Sequence, residues 1–298
     1  MRRWVSLRSR AGVWHIDNDL HSKLRSLGER GDIMVTMHQV MREHGPDRPA
    51  GDIVIFSGGK GKAPVIGRVV EIGIADEMTD RRFIVVDGAD GRLHYAALGN
   101  ATVHQAPEPG MIVALKSTGG KSSARTAQVE VLSLWPVERL PDAELPTWLD
   151  KAIVENKRPS MVERKFGAEL SAVFRARADW LVAHGHAYRD PAGRVTPKAN
   201  TLETLNERGW TALGRRLEAE LNQVYRPMTE GMRITGRHTR DVTFPAGRIA
   251  VIQNRTSFTL IPWRPDLAQM RGKEIDFAML NRTLTLAIFR GRERGLSR

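Results

Sequence analysis

The chain has 298 residues, is 41% hydrophobic and contains no cysteine; it is long enough for several packed cores, and disulfides, thiolate metal sites and cysteine nucleophiles are excluded, as suits a reducing compartment. Its formal net charge of +12 is uneven: Lys and Arg number 9 against 6 Asp and Glu over 1–50, 10 against 13 over 51–150, 14 against 9 over 151–226 and 13 against 6 over 227–298, so the field that attracts polyanions belongs to the second half. The most apolar stretch, 277–289, is interrupted by Asn281 and Arg282, and the basic start MRRWVSLRSR lacks the apolar run of a signal peptide, which together predict a cytoplasmic protein with no membrane insertion.

The N-terminal 1–48 read as a helical segment, the remnant of a preceding unit. An extended piece at 13–16 leads to a helix through Leu20, Leu24 and Leu27, broken by Gly28 and Gly31. A second helix is capped by Asp32 and carries Met34, Met37 and Met41 at core spacing. From 51 to 135 the strings DIVIF, VIGRVVEIGI, RFIVVDG, RLHYAAL, MIVALKS and AQVEVLSL are short strands divided by turns, as in a small barrel. Pro136, Pro141 and Pro146 mark a linker. Residues 145–225 then give a helix over 145–155, another over 164–183 and a hairpin turning through Asp190, Pro191, Ala192 and Gly193. A last helix opens on the capping-box pattern Asn200-Thr201-Leu202-Glu203. Helix, helix, hairpin is the order of a winged helix. Over 226–298 the strings MRITGRHTRDVTF, GRIAVIQ, SFTLIPW and RTLTLAIF, with a helix near 265–275, describe a small α+β domain ending in a basic tail. The fold class expected is therefore α+β and multidomain: a β-barrel-like domain, a winged-helix-like domain and a C-terminal α+β domain. No repeat of fixed period is visible.

Few motifs carry chemistry. In STGGKSS (117–123) the last three positions of a phosphate-binding loop recur, but Leu115 stands where its first glycine belongs and a strand follows instead of a helix. Gly58 to Lys62 has the same weakness. Asp76, Glu77 and Asp80 have no companion base and read as a solvated loop. No metal or cofactor site is predicted, and no catalytic residue is assigned. The stronger constellation is basic. At about 100° per residue, Arg175 falls within about 20° of Arg164 on the second long helix, with Lys165 to one side, Ala168 and Ala172 between, and Phe166, Leu170, Val173, Phe174 and Leu181 opposite. Asp179 dilutes this face, and Arg177 lies among the apolar positions. Arg189, Arg194 and Lys198 on the hairpin, with Arg233, Arg237 and Arg240 beyond it, complete the nucleic-acid-binding set.

The segments at 26–38, 64–95, 146–153, 224–252 and 258–275 resemble the C-terminal domain of relaxase/mobilisation nucleases from conjugative plasmids and integrative elements. In that family an N-terminal domain nicks the transfer origin with a tyrosine, aided by clustered histidines. No position here matches those residues, so the resemblance implies a non-catalytic accessory role: binding transfer-origin DNA or contacting relaxosome, coupling or type IV secretion partners. The basic end RGRERGLSR is similar in character to the positively charged translocation signals of such proteins, although an ordinary frayed basic tail is the preferred reading. Two other functions stay open. One is an interaction adaptor working through 51–135. The other is a divergent nicking enzyme using Tyr188 with His184 and His186, although those histidines flank Gly185 at a helix end, where they should diverge.

Overall fold

A computed structural model describes residues 8–10, 13–15, 20–44, 48–56, 63–76, 81–98, 107–117, 127–280 and 283–287. A hairpin of β1 (Arg8–Arg10) and β2 (Val13–His15) precedes α1 (Leu20–His44), then β3 (Ile53–Ile55), β4 (Val65–Asp76), β5 (Arg81–Gly88), β6 (Leu93–Leu98), β7 (Ile112–Ser117) and β8 (Ala127–Ser133). The strands lie in the order β3-β6-β5-β4-β7-β8, and a Leu98–Ala127 pairing joins β6 to β8, closing a five-stranded barrel with β3 added in parallel on β6. Side chains alternate across each strand. Val69, Ile84, Val86, Ala96, Val113 and Leu115 fill the barrel, while Phe83, Val85, Leu93 and Tyr95 point outward beneath Met37, Val40 and Met41 of α1. Burial on both faces is why RFIVVDG reads as an unbroken apolar run.

The break expected at Gly28 and Gly31 does not occur: α1 is one helix of 25 residues. A helical glycine costs about 1 kcal/mol, less than the roughly 1.5–3 kcal/mol gained by burying each of three large side chains further along. Pro136 to Pro146 is likewise no exposed linker. It contains a 3₁₀ turn at Val137–Arg139, and Val137, Leu140 and Ala143 are buried.

Next come α2 (Trp148–Val154), α3 (Lys165–Ala183), β9 (Ala187–Arg189), β10 (Val195–Pro197) and α4 (Thr201–Leu221). The capping box forms at Thr147 and Asp150, at the start of α2. The one expected at Asn200 does not, because Asn200 makes no side-chain cap and the Thr201 hydroxyl instead donates to the carbonyls of His186 and Lys198. Phe166, Leu170, Phe174, Ala178 and Leu181 of α3 share a core with Leu149 and Ile153 of α2 and with Ala89 and Ile112 of the barrel.

The last sheet holds β11 (Val224–Tyr225), β12 (Arg233–Phe244), β13 (Gly247–Gln253), β14 (Ser257–Pro262), β15 (Glu274–Leu280) and β16 (Thr283–Ala287), with a 3₁₀ turn at Pro265–Met270 in place of the expected longer helix. Its order, β11-β14-β13-β12-β15-β16 with β11 parallel to β14, is that of the first sheet strand for strand. The correspondence extends to details. Both long second strands bulge two residues after a glycine, at Val69/Glu71 after Gly67 and at His238/Arg240 after Gly236. In both, a turn with a positive-φ glycine donates to the residue before the bulge, from Gly110 to Val69 O and from Gly272 to His238 O. Both cover the outer face of the middle strands with the preceding helix, since Leu213 and Leu217 of α4 sit on Ile249, Val251, Phe258 and Leu260. The chain is thus α+β and contains a helix-plus-sheet unit twice. The offset slips from 169 residues between Gly67 and Gly236 to 162 between Gly110 and Gly272, so no fixed period exists in the sequence.

Candidate nucleic-acid interface

In the helical segment that separates the two units in sequence, the C-terminal end of α2, the exposed side of α3 and the β9–β10 hairpin enclose a cleft of about 1000 Å³ lined by Arg158, Arg175, Arg189 and Arg194 together with Asp179 and Asp190. Local backbone chemistry builds each wall. At the end of α2, Asn156 takes a left-handed conformation (φ 51°) and the amides of Asn156 and Lys157 bond back to Ile153 and Ala152, a helix stop that reverses the chain. This brings the Arg158 guanidinium carbon 5.8 Å from the centre of the Phe174 ring. The hairpin turns where expected. Asp190 accepts from the Arg194 amide at 2.8 Å and Gly193 adopts φ 79°, the left-handed geometry that glycine allows. Arg189 ties the hairpin to α3 by pairing with Asp179 and donating to Gly193 O. Ile153, Ala178, Val195 and Pro197 form an apolar floor.

The structure distributes the ten predicted cations unevenly. Arg164 and Lys165 do not extend a cationic stripe along α3: both turn to Asp52, at 3.3 and 2.6 Å, and these contacts hold the Asp52 carboxyl below its usual range. Arg177 cannot meet a ligand at all. It is 0% exposed, its Nε and Nη2 lie 2.7 and 3.0 Å from Asp150, and its Nη1 donates to the carbonyls of Pro141 and Ala143. This buried pair ties the 141–143 stretch to α2 and α3. Arg233 pairs with Asp276 and Arg240 with Glu220, while Arg189 and Arg194 pair with Asp179 and Asp190. Arg175, Lys198 and Arg237 are exposed and show no ion pair among the described residues. Three of the ten, Arg175, Arg189 and Arg194, therefore line the cleft, and Lys198 lies close by on the hairpin.

Arg158 was missed. No spacing rule links a residue beyond α2 to Phe174 on α3, because only tertiary packing makes that contact. His184 is exposed and His186 is buried. Both rings lie nearly parallel to that of Trp180, at 17° and 8°, with centroids 3.9 and 6.0 Å away. Burial lowers the pKa of His186. Among the described residues no three His, Asp or Glu side chains are placed to hold a metal ion, and no helix is long and apolar enough to cross a membrane. STGGKSS beyond Ser117, Gly58 to Lys62, Glu77 and Asp80, and the basic tail lie outside the described residues.

Fold and cleft together define a class: an α+β chain of two related helix-plus-sheet units with an arginine-lined helical segment between them. The chain belongs to the family described as "Protein of unknown function (DUF3363)", whose model matches residues 5–126 and 118–297. No curated protein and no solved structure matches it.

Proposed function

We propose that this chain binds DNA through the cleft between α3 and the β9–β10 hairpin, as the non-catalytic accessory part of a conjugative mobilisation system. The observation that carries the reading is the convergence of Arg158, Arg175, Arg189 and Arg194 on one cleft against only two carboxylates. Both acidic partners sit in solvent-facing pairs, with the arginines 44% and 81% exposed. Such pairs are worth about 0–1 kcal/mol, so a phosphate can replace the carboxylate at little cost, and guanidinium is suited to bidentate phosphate contact. In this reading α2, α3 and the hairpin act as a winged helix, with α3 presenting Ala172, Arg175 and Ala176 and the hairpin serving as the wing. The resemblance to relaxase C-terminal domains supplies the mobilisation context and the transfer-origin region as the DNA expected.

The test is a salt titration of labelled DNA binding. Four phosphate contacts predict a slope of log affinity against log salt of about −3 to −4. Arg175→Glu should weaken binding at every sequence tested and make the slope shallower by about 1. A slope near zero, or an Arg175→Glu protein that binds as the parent does, overturns the reading.

A further inference from the structure

We infer that the outer face of the β9–β10 hairpin is a base-stacking platform for single-stranded nucleic acid, with Tyr188 as the stacking residue. The inference rests on the reading of the adjacent cleft as a polyanion site and specifies the form of the strand. Tyr188 is 54% exposed, and every other described Phe, Tyr or Trp side chain is buried or half-buried. Its partner across the hairpin is Thr196, which lines the cleft. Directly opposed side chains on an antiparallel pair stand about 5 Å apart, so the ring lies one strand spacing from the cleft wall.

The alternation of the hairpin separates two chemistries. Ala187 and Val195 pack into the core shared with α3. Tyr188 and Thr196 face the other way, with Arg194 and Lys198 as the diagonal neighbours of Tyr188; the amide of Lys198 continues the ladder by donating to His186 O at 3.0 Å. Arg194 and Lys198 are exposed. The Tyr188 hydroxyl has no hydrogen-bond partner among the described residues, so nothing there fixes the ring for a structural purpose. An aromatic ring between two cations matches a strand whose phosphates meet the cations and whose base lies on the ring. In a duplex the base faces are occupied by stacking on one another, and only an unpaired base offers one to Tyr188.

The experiment compares three fluorescein-labelled ligands of equal length by anisotropy at fixed salt: an oligothymidine, the same backbone without bases, and a duplex. The parent protein should bind oligothymidine about 5- to 100-fold more tightly than the abasic strand, the worth of stacking one base. Tyr188→Ala should bring that ratio close to one while leaving abasic binding and the salt slope unchanged, and Tyr188→Phe should preserve the ratio. Circular dichroism confirms the fold of each variant, which an exposed position should not disturb. A ratio that survives Tyr188→Ala, or a parent protein that binds the duplex as tightly as oligothymidine, overturns the inference. Loss of the cleft reading looks different: abasic and base-bearing strands would both bind weakly, with no salt slope and no effect of Arg175→Glu.

Discussion

The two helix-plus-sheet units have one frame and two surface chemistries. Inside, Ile84, Val86, Ala96, Val113 and Leu115 of the first correspond to Ala250, Ile252, Ile261, Ile275 and Phe277 of the second. The differences lie where each sheet meets its surroundings. On the outside of β4 and β7, Ile66 and Ile112 pack into the core of α3, and Arg68 lies 5.1 Å from the Phe166 ring. Their counterparts in the second unit are Thr235 and Glu274, both exposed. Between helix and sheet, the first unit buries Arg48 against Asp87 at 2.6 Å. The second joins Gln223 to Gln253 with a neutral hydrogen bond of 3.2 Å. Glycine, bulge and turn thus fix the hydrogen-bonded frame, whereas side chains on the outer faces answer to whatever packs there.

Removing the buried pair that holds α2, α3 and the 141–143 stretch together should have the largest effect. In Arg177→Ala the Asp150 carboxylate, fully buried, loses its counter-charge, and the carbonyls of Pro141 and Ala143 lose their donor. A destabilisation of about 3–5 kcal/mol is expected, read from the midpoint of urea unfolding. An unchanged midpoint would mean that α2, α3 and the 141–143 stretch hold together without this pair. A smaller effect tests the equivalence of the frames. A Cβ at Gly67 would lie 2.4 Å from Asp87 O, and one at Gly236 would lie 2.7 Å from Gln253 O, both backbone atoms that cannot swing aside. Gly67→Ala and Gly236→Ala should each cost about 1–3 kcal/mol, with Gly67→Ala the worse. If one glycine proves indifferent, the close strand approach is not a shared requirement.

Much of this frame was legible in the sequence. Strands 65–76, 81–88, 233–244 and 247–253 show as β-branched runs between turn residues, α3 shows as an apolar stripe, and the hairpin shows in its Asp-Pro-Ala-Gly turn. The repeat was not legible, because what the units share is a Gly-Arg step, a bulge and a turn glycine, separated by loops of different length. The cleft was half legible. Charge and helical spacing pointed to Arg175, Arg189 and Arg194, but the pairing of Lys165 with Asp52 joins residues 113 positions apart, and no local pattern encodes it. Arg177 carried a readable warning. An arginine on the apolar stripe of an amphipathic helix must either snorkel to water or find a buried partner; here it finds Asp150.

The smallest expected effect separates the two units by sign. In the second unit, hydrogen bonds from Arg233 and Arg240 hold Asp276 and Glu220 below the ordinary carboxylate range. Their contribution to stability is present above that range and is lost as pH falls through it. In the first, burial pushes Asp87 up in spite of Arg48, and one carboxylate oxygen has no hydrogen-bond partner. A raised folded-state pKa works the other way: its contribution is present at low pH and is lost as pH rises through the shifted value. Acidification from neutrality should therefore favour the first unit through Asp87 before it weakens the second through Asp276 and Glu220. Thermal unfolding followed between pH 7 and 3 should show Asp276→Asn flattening the acid limb, while Asp87→Asn removes the gain that precedes it. If both substitutions shift the same limb in the same direction, the charged pair of the first unit and the arginine pairs of the second are not opposed in sign, and the contrast between the units is one of packing alone.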